Sequence, residues 1–147
     1  MKSAVKTIKG DLFNDKRGSI CFANNFQLNK YKRFYIISLP RKKMIRAFHG
    51  HMKERKAVFP ISGSLIVCIA NINNPFNPSK KNKVTKIILD SRDPKLIEIS
   101  PKYANGIMSL EKNTSVIFFS DKIVEESEKD DYRFDAYYWG KEIWNVD

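Results

Sequence analysis

The chain has 147 residues, enough for one domain with its own core, and its 42% hydrophobic and 12% aromatic content excludes a disordered polypeptide. Twenty-seven basic against 16 acidic residues leave a formal net charge of +11, which favours anionic partners such as phosphates and nucleotides. No apolar run approaches membrane-span length, and the N-terminus has no continuous apolar core of a secretory leader, so a cytoplasmic protein without membrane contact is expected.

Short β-type runs follow one another along the chain: Val5 to Ile8, Gly18 to Phe22, Arg33 to Leu39, Lys56 to Ile61, Ser64 to Asn71, Val84 to Leu89, Leu96 to Ile99 and Thr114 to Ser120. Isoleucine, valine and phenylalanine dominate them, as strands prefer. Turn residues punctuate them at Lys16-Arg-Gly18, Ser62-Gly63, Asn73-Asn-Pro75, Ser91-Arg-Asp-Pro94 and Ser100-Pro101. Such spacing predicts an all-β sandwich or barrel of antiparallel strands, with residues 1–147 forming one domain. Asn71 to Lys83 is expected as an exposed loop, and the acidic stretch Glu125 to Asp131 as a helical turn. The short C-terminal tail, Tyr132 to Trp144, is aromatic and suits packing against a core edge. Cys21 and Cys68 lie in apolar runs without CxxC spacing, so buried free thiols in a reducing compartment are expected.

The chemistry concentrates in Arg46-Ala-Phe-His-Gly-His51, which holds both histidines of the chain. On a strand, residues i and i+2 share a face, so His49 and His51 can enter one cavity. Imidazole titrates near neutrality and suits general-base work, whereas metal ligation or surface placement is the plainer role for such a pair. Two histidines fall short of the larger ligand cluster of a metal-dependent site, and no metal is expected. Asp135, set among apolar rings, needs a partner, and an imidazole from another strand would suit it. Basic residues are scattered rather than interleaved with aromatics in a recognisable module, which argues against nucleic acid as a partner.

At these residues the sequence resembles the dTDP-4-dehydrorhamnose 3,5-epimerase family of nucleotide-sugar cupins. Asp15-Lys-Arg-Gly18 resembles that family's early D-x-R-G, and Ile45-Arg-Ala-Phe-His49 its arginine-and-histidine strand. Lys56 running to Gly63-Ser64 resembles its lysine and following turn. Ala104-Asn-Gly106 through Asn113-Thr-Ser-Val116 resembles its A-H-G…N-T-x-V block, and Arg133-Phe-Asp135 its aspartate-bearing end. The resemblance implies a cupin (jelly-roll) barrel, a homodimer, no cofactor, and epimerisation at C3, C5 or both of a dTDP- or GDP-linked 4-keto-6-deoxy sugar in surface-polysaccharide biosynthesis. Carried over by position, His49 is the base, Asp135 its orienting partner, and Lys56 the stabiliser of the enolate oxygen. Arg17 and Arg46 would hold the diphosphate or sugar. The chain departs from the pattern at Phe118, where the family has a proton-donating tyrosine, and at Asn105, where it has a second histidine. Tyr35, Tyr103 and His51 are the candidate substitutes.

The front half is equally similar to the nucleotide-sugar 3,4-ketoisomerases, through Arg46-x-Phe-His-x-His51, Arg17-Gly-Ser19 and Arg33-Phe-Tyr-Ile36. That resemblance implies proton shuttling by His49 and His51 with Tyr35 nearby. A catalytically silent cupin that binds a nucleotide sugar is the third expectation, motivated by Phe118 and Asn105.

Overall fold

Alternation of inward and outward side chains builds this molecule. Along Thr114–Ser120 the even-numbered Thr114, Val116, Phe118 and Ser120 are buried, while Ser115, Ile117 and Phe119 are only partly covered. The computed structural model describes residues 3–146. Its strands are β1 (Val5–Lys9), β2 (Asp11–Asp15), β3 (Gly18–Phe22), β4 (Arg33–Leu39), β5 (Ile45–His51) and β6 (Lys56–Ser62). They continue with β7 (Ser64–Asn71), β8 (Val84–Asp90), β9 (Lys95–Ile99), β10 (Tyr103–Ser109), β11 (Thr114–Ser120) and β12 (Tyr132–Arg133). One α-helical turn, α1 (Val124–Glu128), and two 3-10 turns, Leu28–Lys30 and Glu142–Trp144, accompany them.

The strands form two antiparallel sheets, β1-β9-β6-β11-β4 and β12-β5-β10-β7-β8, with β2 and β3 paired as a separate hairpin. Between the sheets lies an apolar core of Leu39, Val58, Leu65, Val67, Ile107, Val116 and Phe118 with their neighbours, all almost fully enclosed. Enclosing each such side chain is worth about 1.5–3 kcal/mol. The architecture is thus the expected all-β jelly-roll barrel.

A second apolar layer covers the outer face of the second sheet. There the aromatic tail lays Trp139 and Trp144 on Phe48, with ring centroids 4.9 and 5.6 Å apart. Gly106 permits this approach, because a Cβ on it would lie 2.4 Å from the Ala47 Cβ and 3.1 Å from the Trp144 ring. The tail also pins the 71–83 loop: the Tyr138 hydroxyl donates to the Pro78 carbonyl at 2.6 Å and the Trp139 indole N–H to that of Ser79 at 3.1 Å.

All eight sequence-predicted runs are strands, with ends shifted by at most one residue. Of the four other strands, Ile45–His51 enters the sequence reading only through the shared face of its histidines, and three escaped prediction. Asp11–Asp15 is mostly polar and exposed, Tyr103–Ser109 is interrupted by glycine and polar residues, and Tyr132–Arg133 is only two residues long. One cysteine departs from expectation: Cys68 is buried, with its thiol pushed up to about 12 by burial, but Cys21 is exposed on the hairpin.

Candidate active site

One end of the barrel opens as a cavity of about 290 Å³, lined by side chains from both sheets and by the α1 segment. β4 supplies Arg33, Tyr35 and Ile37 from its inward face, β6 supplies Lys56, and β11 supplies Phe118. β5 supplies Arg46, His49 and His51, and β10 supplies Asn105. Simple alternation would put Arg46 and His49 on opposite faces. The pairing with β10 shifts between them, so that Arg46 faces Ile107 and His49 faces Asn105, and three steps on β5 match two on β10. This bulge turns both residues into the cavity.

His49 is the more accessible imidazole, its side chain 43% exposed, with Nδ1 3.7 Å from Asp131 Oδ1. Burial, then the charges of Lys56 and Arg133, hold its pKa below the ordinary 6.5, opposed by Asp131. It is therefore neutral near pH 7 and able to accept a proton.

His51 is nearly enclosed. Its Nδ1 lies 2.5 Å from the Asp130 carbonyl oxygen, and its Nε2 3.3 Å from Glu54 Oε2. Burial and Lys56 depress its pKa, while Glu54 and Asp130 work the other way. Asp130 fixes the turn after β5 as well, accepting from the Met52 and Lys53 backbone N–H groups at 2.8 Å each.

Glu54 is wholly buried and gathers cations. Lys56 Nζ is 3.7 Å from its Oε2 and an Arg33 guanidinium nitrogen 3.7 Å from its Oε1, with the Ser127 hydroxyl hydrogen-bonded to Oε1. Lys56 Nζ also lies over the Tyr35 and Phe118 rings, 5.9 and 5.8 Å from their centroids. Those rings stack at 5.3 Å, only 7° from parallel, so Phe118 serves as a packing plate for Tyr35. Asn105 is buried in the wall, its amide 3.5 Å from the His49 carbonyl oxygen. Arg46 is exposed at the rim and has no carboxylate partner among the described residues.

The fold therefore brings His49, His51, Lys56, Arg46, Asn105, Phe118 and Tyr35 to one cavity. Two expected members lie elsewhere. Asp135 is exposed, does not line the cavity, and accepts a hydrogen bond from the Tyr137 N–H at 2.8 Å. The carboxylate beside His49 is Asp131, because the chain at 132–133 pairs with β5 at Gly50 and His49 and carries position 135 past the opening. Arg17 caps the β2–β3 hairpin, 87% exposed and paired with Asp15 at 2.5 Å, away from this chain's own cavity. Sequence reasoning missed Arg33, Glu54, Asp131, Asp130 and Ser127 as site residues. The acidic residues among them sit in charge-rich stretches that look like solvated surface, and only Arg33 had a visible signal, its inward parity with Tyr35. Among the described residues no three of His, Cys, Asp and Glu converge as a metal-ligand set. Among the described residues no helix is long and apolar enough to cross a membrane.

A family model described as FdtA, WxcM-like, C-terminal, matches residues 3–139. No curated protein sequence matches the chain. Among solved structures, the fold is similar to the rmlC epimerase of Mycobacterium tuberculosis, with a TM-score of 0.73 at 17% identity over 98% of this chain and 74% of that one. It is also similar to QdtA, a sugar 3,4-ketoisomerase of Thermoanaerobacterium thermosaccharolyticum solved with TDP, with a TM-score of 0.68 at 19% identity over 95% and 94% of the two chains. A 3,4-ketoisomerase from Helicobacter canadensis gives 0.66 at 17% identity, over 92% of this chain and 94% of that one.

Proposed function

The chain belongs to the FdtA (WxcM-like, C-terminal) family, and on that premise we propose that it is a nucleotide-sugar isomerase acting beside a 4-keto group, with 3,4-ketoisomerisation as its reaction. The observation that carries this reading is the pair of imidazoles, His49 and His51, lining one basic cavity. Moving a ketone requires two proton transfers, one between carbons and one between oxygens. Neutral His49 takes the hydrogen that the 4-carbonyl acidifies at C3 and delivers it to C4. His51 gives a proton to the C4 oxygen and receives one from the C3 hydroxyl. Lys56 stabilises the enediolate oxygen between the two steps. Proton number is conserved and the carbonyl itself is the electron sink.

Epimerisation at C3 or C5, the reaction that the sequence blocks put first, shares the first step and is the second reading. Lys56 beside His49 favours it. Against it stand Phe118, whose ring has no proton to return, and the absence of Asp135 from the cavity.

Arg46 at the rim suits the diphosphate. The TDP bound to QdtA favours a dTDP-linked over a GDP-linked substrate. A homodimer completes the proposal. The β2–β3 hairpin exposes Phe13 and Ile20 and carries Arg17 at its tip, so a second barrel that accepted it would gain a basic residue at its cavity. Free thiols at Cys21 and Cys68 accord with a cytoplasmic setting.

The deciding experiment incubates the protein with a dTDP-4-keto-6-deoxyhexose in deuterated water. A carbonyl shifted to C3 supports ketoisomerisation, and deuterium at C3 or C5 with the carbonyl in place supports epimerisation. With no exchange, the chain is a silent binder and the isomerase reading fails.

A further inference from the structure

Glu54 is a buried carboxylate that the proton transfers above do not use. Its side chain has no exposure, it does not line the cavity, and its Oε2 is the one buried side-chain nitrogen or oxygen among the described residues without a hydrogen-bond partner. Burying an unpartnered carboxylate oxygen is costly, and such an atom calls for an explanation. The nearest polar atoms are His51 Nε2 at 3.3 Å and Lys56 Nζ at 3.7 Å.

The tautomer of His51 follows from its other side. A backbone carbonyl only accepts, so Nδ1, 2.5 Å from the Asp130 oxygen, carries a hydrogen. In the neutral ring Nε2 is then a bare acceptor, facing a second acceptor inside the protein. Two bare acceptors at that distance repel, and a single proton shared between them turns the repulsion into attraction. Lys56 on β6, Arg33 on β4 and the Ser127 hydroxyl on α1 support a carboxylate at Glu54, while Lys56 opposes a proton on His51 and Glu54 and Asp130 favour one; Asp130 holds the far nitrogen and His49 lies two residues away on β5.

We propose that Glu54 is a positioning residue that holds one proton jointly with His51, so that this pair, rather than a tyrosine hydroxyl, is the proton store of the cavity. The store's use in turnover rests on the isomerase reading. The pair gives its proton to the oxygen becoming a hydroxyl and recovers one from the hydroxyl becoming the carbonyl, ending as it began. The pairing itself is a property of the free protein.

The test separates the two. In the full-length protein without substrate, ring signals of His51 and the side-chain carboxyl signal of Glu54 are followed by NMR against pH. They are expected to move together with common midpoints, as a coupled pair does. Independent titration of the two groups overturns the proposal. In Glu54→Gln the His51 midpoint is expected to fall by about one unit, a tenfold loss of proton affinity, with His49 unmoved and Glu54→Asp restoring most of the shift. A folded Glu54→Gln protein with an unchanged His51 midpoint also overturns it. Should that variant not fold, the wild-type titration decides alone. In turnover, Glu54→Gln should lower kcat about tenfold at neutral pH with KM nearly constant. A substrate test that shows no exchange with wild-type protein sinks the isomerase reading, while the titration still decides the pairing.

Discussion

His49 directs its Nδ1 at Asp131 Oδ1 from 3.7 Å, while Arg133 holds the other oxygen of that carboxylate at 3.0 Å. The arginine offsets much of the charge that Asp131 presents to the ring. Asp131 therefore steers the imidazole more than it charges it, and burial keeps His49 neutral. Asp131→Asn removes an influence that favours protonation, so the acid limb of the rate profile should move to lower pH. Asp135→Asn, altered at an exposed turn, should leave the profile unchanged. Parallel pH profiles of the two variants check this, and a shift with Asp135→Asn but not with Asp131→Asn would reverse the assignment.

The depressed pKa of His49 sets a pH window. As a base it must be unprotonated, so kcat/KM should hold on the alkaline side and fall only below the ordinary 6.5. The sign for stability is the same. The unfolded chain takes up the proton more readily, so this contribution is complete above 6.5 and fades as pH drops through the lower folded value. Activity and melting temperature measured between pH 4 and 8 test both.

Replacing His49 by asparagine should cut solvent-deuterium incorporation about 10²–10⁴-fold. The side chain is 43% exposed, so the melting temperature should change little. Incorporation at the wild-type rate would remove His49 from the mechanism.

Lys56→Met keeps the aliphatic stem over Tyr35 and Phe118 and removes the charge. If Lys56 stabilises a developing oxyanion, kcat should fall about 10²–10³-fold. A change confined to KM would assign it to ground-state binding instead.

The hairpin prediction concerns assembly. Phe13 and Ile20 are 52% and 62% exposed on a two-stranded ribbon that has no third strand. Changing both to aspartate should turn a dimer into a monomer in light scattering while leaving the barrel's circular dichroism intact. A wild-type protein that is already monomeric would refute the crossed arrangement.

Much of the barrel was legible in the amino-acid order. Runs such as Arg33–Leu39 and Thr114–Ser120 are rich in β-branched and aromatic residues and bounded by turn formers, and both properties are local. The shared face of His49 and His51 followed equally from strand periodicity. Where polar residues or glycine break the pattern, as in Tyr103–Ser109, nothing local marks a strand, and pairing with two neighbours holds it in place. Three-dimensional closure alone chose among the carboxylates. It buried Glu54 between His51 and Lys56, set Asp131 beside His49, and left Asp135 in solvent. Such choices depend on strand register and on contacts across about 70 to 80 residues, Glu54 with Ser127, His51 with Asp130 and His49 with Asp131, which govern desolvation and distance and leave no trace in local sequence.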